Sequence, residues 1–123
     1  MKRDELTKFL DEALDLSAFA EDVSNNGVQV EGRDEVRKAV FAVDASQTLF
    51  DEAAKRAADF IFVHHGLSWG ANPRRLTGFT ARRFGTLFRH GITLYAAHLP
   101  LDAAPEFGVD PGNTEKAPEY TEN

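Results

Sequence analysis

Apolar residues along the chain recur at two different periods, and the switches between those periods mark out its elements. Near the amino terminus Leu6, Phe9, Leu10, Ala13 and Leu14 fall at i, i+3, i+4, i+7 and i+8, the stripe of an amphipathic helix. Asp4 and Glu5 stand in its first turn, where negative charge complements the helix dipole. Asp22-Val23-Ser24-Asn25-Asn26-Gly27 is turn chemistry, and Val28-Gln29-Val30 then alternates as a short strand closed by Gly32. Three strand-like runs follow: 39–43 and 60–63, unbroken apolar and reading as buried strands, and 92–97, apolar but for Thr93. Between them the period returns to that of a helix. Leu49, Phe50, Ala53, Ala54 and Ala57 form one face over 46–57, and Phe84, Leu87 and Phe88 another over 81–90, stopped by Gly91. A polar loop containing Asn72-Pro73 precedes the second helix.

Strands alternating with single helices predict an α/β fold, with a mostly parallel sheet flanked by helices and right-handed crossovers. In such sheets the ligand crevice lies beyond the carboxyl ends of the strands. The three runs end at Asp44, at His64-His65-Gly66 and at His98, so these residues are expected on one rim. Successive strand side chains point to opposite faces, and both imidazoles of the pair serve one site only if the chain bends, which Gly66 permits. The pair could otherwise hold two metal ions from different directions. The bland alternative is a hydrogen bond from each imidazole to a loop. His98-Leu99-Pro100-Leu101-Asp102 adds an imidazole and a carboxylate just past the third strand, on what reads as a loop. Singly these would be a loop anchor and a turn residue; together at the rim they favour a metal. The mixed nitrogen and oxygen set suits a divalent transition metal (Zn, Fe, Mn or Ni) better than Ca or Mg. Asp44 reads first as a helix cap and second as a group orienting a ligand.

Composition narrows the function classes. A chain of 123 residues with 42% hydrophobic content supports one folded core. With no cysteine there is neither a disulfide framework nor a thiolate metal site. The net charge of −6 makes nucleic-acid binding an unfavoured reading. The opening Met-Lys-Arg-Asp-Glu has no apolar leader and nothing approaches membrane-spanning length, so the expected location is cytoplasmic with no membrane partner. No P-loop or glycine-rich phosphate cradle occurs.

Three motifs in order carry a resemblance: Asn26-Gly27-Val28-Gln29-Val30-Glu31-Gly32, Val63-His64-His65-Gly66 and His98-Leu99-Pro100-Leu101-Asp102. Over about residues 1–108 the chain resembles the Nif-three-like dinuclear metal-binding family, whose members are often called GTP cyclohydrolase 1 type 2. The resemblance implies a fold of two similar α/β halves, a two-metal centre, and homo-oligomers that are hexamers in the family. It also implies that His64, His65 and Asp102 are the metal ligands of the amino-terminal half. His98 matches a position beside the centre, as a ligand or a catalytic proton-transfer group. The implied activity is metal-dependent hydrolysis, of a nucleotide such as GTP or of a phosphoester.

The resemblance corresponds to one half of the family fold. The second half, which supplies a further His and Glu from a helix, has no counterpart in the sequence up to Asn123. Residues 1–108 are therefore expected to form an α/β metal-binding domain. Residues 109–123, with Pro111, Pro118 and no hydrophobic period, read as an acidic, disordered tail. Two alternatives accompany the hydrolase reading. One is a catalytically incomplete metal-binding or regulatory protein; the other is a subunit that needs a partner chain for the missing ligands.

Overall fold

The computed structural model describes residues 1–104 and the backbone of 120–122. Helix α1 (Arg3–Ala13) and a 3₁₀ turn (Leu16–Phe19) lead to strand β1 (Gly27–Val30). Strand β2 (Ala39–Asp44), helix α2 (Gln47–Lys55), strand β3 (Phe60–His65), helix α3 (Gly78–His90) and strand β4 (Thr93–Ala96) follow. A short helix α4 (Leu99–Ala103) and strand β5 (Tyr120–Glu122) complete the order. The sheet runs β1-β4-β3-β2-β5, with β2, β3 and β4 parallel in the centre and an antiparallel strand at each edge. The expected α/β class and parallel centre are both present.

The central strands are buried on both faces because their side chains alternate between two apolar layers. Val40, Ile61, Val63, Leu94 and Ala96 face one layer, where Leu49, Phe50 and Ala53 of α2 and Leu87 of α3 cover them. Phe60, Phe62 and Tyr95 face the other, with Leu14 and Val36 and the partly buried Leu6 and Leu10 of α1. Tyr95 lies between the two phenylalanines, its ring 6.0 Å from Phe60 and 5.5 Å from Phe62. Burying each such side chain contributes roughly 1.5–3 kcal/mol relative to leaving it in water.

Several local expectations change. Phe9 and Phe88, placed on apolar helical faces, are exposed. Helix α1 has no fully buried residue and docks through a narrower stripe, so a position one step round the cylinder from Leu10 meets solvent. Ala57 lies beyond α2 with a positive φ of 56° instead of on its face. Helix α3 begins at Gly78, three residues before the apolar period becomes visible. Residues 99–103, read as a loop, form α4, with the buried Pro100 in its first turn, where a fixed φ favours a helix. Five residues are too few for periodicity to register. Most of the segment 109–123 expected as a tail lies outside the described residues; Tyr120–Glu122 within it pair with Ala42, Phe41 and Val40 at the β2 edge. Among the described residues no helix is long and apolar enough to cross a membrane.

Candidate metal centre

Parallel pairing places Asp44 beside His65 and carries β4 on to Ala97, whose N–H donates to the Val63 carbonyl over 3.0 Å. The carboxyl ends of the three central strands therefore share a rim, and the two histidines of β3 reach sideways along it in opposite directions. His64 Nδ1 lies 3.0 Å from the Ala97 carbonyl oxygen beyond β4. His65 Nδ1 lies 2.8 Å from Asp44 Oδ1 at the end of β2. Their rings converge all the same, with centroids 4.5 Å apart. His98, at the cap of α4, stacks 5.0 Å from His64 and lies 5.6 Å from His65.

The third imidazole is anchored in the same manner, with His98 Nδ1 3.2 Å from Asp22 Oδ1. A backbone carbonyl and two carboxylates can only accept, so Nδ1 of each ring carries a hydrogen, and in the neutral ring Nε2 is the nitrogen left with a lone pair for a metal. One ring nitrogen from each of His64, His65 and His98 lies within 4.8 Å of the other two. Asp102 on α4 brings Oδ2 to 3.7 Å from His64 Nε2. Lone pairs and a carboxylate oxygen this close together repel unless a proton or a metal cation lies among them. That donor set fits a divalent transition metal: neutral imidazoles fixed through Nδ1 by oxygen acceptors, with a carboxylate beside them. Of the four residues picked out in the sequence, the structure gathers the three histidines and sets Asp102 next to His64. Asp44 does not cap a helix. Ser46 caps α2, accepting from the Leu49 N–H at 3.1 Å, and the Asp44 carboxylate is left to orient His65.

Three residues that the sequence did not single out by themselves hold this arrangement. The Asp22 side chain is only 2% exposed. Its carboxylate accepts from Asn26 Nδ2 at 3.0 Å and from the N–H groups of Ser24 and Leu99, each at 3.1 Å, besides His98. Burial pushes its pKa up, but the Asn26 bond, then those from Leu99 and Ser24, then that from His98, outweigh burial and bring it down to about 2. Asn26 in turn accepts from the His98 N–H at 2.8 Å and so fixes the start of α4. Gln29 Oε1 accepts from the N–H groups of Leu67 and Ser68 at 2.7 and 3.0 Å, tying β1 to the turn after the histidines. That turn needs glycine, although not for its φ. A Cβ on Gly66 would strike Gln29 Oε1 and come within 2.7 Å of the Ala96 Cβ, so close approach is the constraint. The signal for Asn26 and Gln29 was the first motif, whose residues read locally as turn and strand and whose partners lie far along the chain; Asp22 stands before that motif, in turn chemistry that gave no sign of its role.

Comparison with known proteins places the chain. The Duf34/NIF3 (NGG1p interacting factor 3) family model matches residues 1–112. A GTP cyclohydrolase 1 type 2 homolog of Archaeoglobus fulgidus is 50% identical over 104 residues, covering 85% of this chain and 42% of that one. Its namesake in Escherichia coli K12 is 45% identical over 108 residues, covering 88% and 43%. Among solved structures, TTHA1606 from Thermus thermophilus superposes with a TM-score of 0.85 at 52% identity, covering 88% of this chain and 44% of that one. Reduced HcgD from Methanocaldococcus jannaschii gives 0.73 at 32% identity, covering 83% and 41%. The chain thus spans less than half the length of these relatives and corresponds to one half of their fold. With a family model matched over residues 1–112, and with Asn26 and Gln29 of the first motif meeting the motifs at 63–66 and 98–102 at one rim, this chain belongs to the Duf34/NIF3 family.

Proposed function

We propose that the rim binds divalent transition metal and forms one half of the centre of a metal-dependent hydrolase of the GTP cyclohydrolase 1 type 2 kind. The observation that carries this reading is the shared anchoring of His64, His65 and His98, each tied through Nδ1 to an oxygen, with one ring nitrogen of each within 4.8 Å of the other two. His64, His65 and Asp102 would hold the metal, as one ion or two. When bound, the metal supplies Lewis acidity, polarising the bond to be attacked and making water nucleophilic at neutral pH. His98 takes and returns a proton at Nε2, while the Asp22 carboxylate, accepting from Nδ1, fixes the tautomer that makes this possible. Asp44 does the corresponding positioning work for His65. The substrate class is a nucleotide or other phosphoester. In the cyclohydrolase case, water adds to a purine ring carbon and the imidazole ring opens. We further propose that the protein works as a homo-oligomer, a hexamer by analogy with the family.

A second reading rests on ligand number. Three imidazoles and one carboxylate serve one open site but fall short of two filled ones, since a catalytic zinc alone takes three protein ligands. On that reading the chain binds metal without turnover, or a partner chain completes the set. Calorimetric titration with zinc and manganese, backed by elemental analysis, tests the site itself. His65→Ala and Asp102→Ala should each lower affinity at least tenfold, about the effect of losing a ligand or its support. His90→Ala, on an exposed residue at the far end of α3, should leave affinity unchanged. Acidification should weaken binding in the wild type, because protons compete for the same lone pairs. Equal affinities in all four proteins would remove the site. Metal-loaded wild type that turns over neither GTP nor simple phosphoesters would favour the second reading.

A further inference from the structure

The imidazole cluster opens on one side into a cleft of about 220 Å³, lined by Val23, Ser24, His65, Gly66, Ser68, Trp69 and His98. Trp69 is the single tryptophan of the chain and belongs to neither core layer; it is 49% exposed. Val23, from the opposite lip, is 71% exposed. Leaving so much apolar surface in water beside a site is unfavourable unless something covers it. The segment that carries Trp69 is nonetheless held firmly. The Trp69 N–H donates to the Asn72 carbonyl at 3.1 Å, and the Asn72 N–H returns a bond of 2.9 Å. The Gly70 N–H donates to the Val23 carbonyl at 2.7 Å, and Asn25 Nδ2 reaches Ser68 Oγ at 2.6 Å and the Gly70 carbonyl at 3.1 Å. The two lips of the cleft are thus bonded together, and the indole stands on a preorganised platform.

We propose that Trp69 is the stacking floor of a subsite for a planar, uncharged heteroaromatic ring, of the kind a purine base presents, delivered edge-on to His65 and His98. The lining selects this occupant. Among the described residues no lysine or arginine lines the cleft, so it offers a phosphate no fixed positive charge. A quaternary cation would want a cage of several aromatic rings, and Trp69 is the only such ring described there beside the two imidazoles. The volume falls below the roughly 300 Å³ at which drug-sized pockets begin, which suits one ring system with the remainder of the substrate outside. Ser24 and Ser68 also line the cleft, and their hydroxyls are of the type that meets the donors and acceptors along a base's edge. An indole face accepts any base, so Trp69 supplies affinity and orientation, and the hydroxyls supply selection.

This inference rests on the hydrolase reading for its purpose, and its test is separable from it. Because Trp69 is the only tryptophan, the intrinsic indole emission reports this one position. Titrating the full chain with guanosine should quench that emission saturably, whereas ribose 5-phosphate should leave it unchanged. Equilibrium dialysis, which needs no tryptophan, should show guanosine binding weakened roughly fivefold to a hundredfold in Trp69→Ala, the range for losing one stacking partner. Trp69→Phe should stay close to wild type. Zinc content should be the same in all three proteins, which excludes collapse of the rim as the cause. Unsaturable quenching, equal guanosine affinity in wild type and Trp69→Ala, or displacement of guanosine by ribose 5-phosphate would each overturn the subsite. Loss of the metal site by titration while guanosine still binds at Trp69 would overturn the hydrolase reading and leave the subsite standing.

Discussion

Both ends of the Gln29 amide are in use at the histidine turn. Oε1 accepts from Leu67 and Ser68, and Nε2 donates to the Asn25 and Ser68 carbonyls at 2.8 and 3.0 Å. Removing the side chain leaves the Leu67 and Ser68 N–H groups and the Asn25 carbonyl short of a partner, while the Ser68 carbonyl keeps the Asn25 N–H at 3.2 Å; Ser68 and Asn25 are near enough to solvent for water to serve them. Gln29→Ala should therefore cost roughly 2–4 kcal/mol in urea unfolding. Zinc affinity should fall with it, because the turn that aims His64 and His65 loosens. Gly66→Ala should be at least as damaging, since its Cβ would displace the same amide and press on Ala96. An unchanged unfolding midpoint and unchanged zinc affinity in Gln29→Ala would show the brace to be idle. Residue by residue, the histidines were legible because an imidazole at a strand end is rare chemistry in a conspicuous place. Gln29 and Asp22 were not. A polar residue in a turn or alternating strand looks the same whether it faces water or a loop some forty positions away.

At the opposite end of the sheet, Asp59 ties the starts of the central strands together just before β3. Its Oδ2 accepts from the N–H groups of Arg37 and Lys38 at 2.9 and 3.2 Å, and Oδ1 from Arg33 Nη1 at 2.8 Å. Its own carbonyl accepts from the Thr93 N–H at 3.0 Å as β4 begins. Burial pushes the Asp59 pKa up, but the Arg37 N–H, the Arg33 guanidinium and the Lys38 N–H together hold it below the usual carboxylate value. A folded pKa below the unfolded one means the carboxylate stabilises the fold above the unfolded value, about 3.9, and the contribution is lost as acid titrates the folded group. Asp59→Asn should cost roughly 1–3 kcal/mol at neutral pH. The gap from wild type should narrow as the medium is taken below about pH 4. Urea midpoints across that range check it; a gap that stays constant into acid would mean the charge contributes nothing. Elements marked by a clear helical period or an apolar run, α2, β3 and β4, stood near their expected places. The short α4 did not, because a proline and a cap decide it more than periodicity does.

Across the whole molecule, exposed apolar side chains are left on and beside α3, where Phe79 and Phe88, on different faces of the helix, are 64% and 61% exposed and Leu76 precedes them in the chain. Such surface commonly marks an interface. Light scattering at moderate and at high salt should give a mass above that of one chain. Phe79→Asp with Phe88→Asp should lower that mass without moving zinc affinity, since both side chains lie on α3 and neither touches the imidazole cluster. A monomer at both salt concentrations, before any substitution, would sink the proposed assembly.

The sequence by itself determined the α/β class, the parallel centre, the shared rim and the histidines on it. All of these follow from local periods and from the rule that strand–helix–strand units pair in parallel. Only the tertiary structure decided how two imidazoles on neighbouring positions of one strand come to face each other. His64 finds its acceptor beyond β4 and His65 finds its own on β2, and those strands stand on opposite sides of β3 only once the sheet is assembled. The same holds for Gly66. Its local reading is a flexible turn residue, whereas its constraint is the space taken by Gln29 and Ala96, which come from elsewhere in the chain. Periodicity records which face a residue turns to the core. It carries no record of which distant atom waits there, and the chemistry of this rim depends on those atoms.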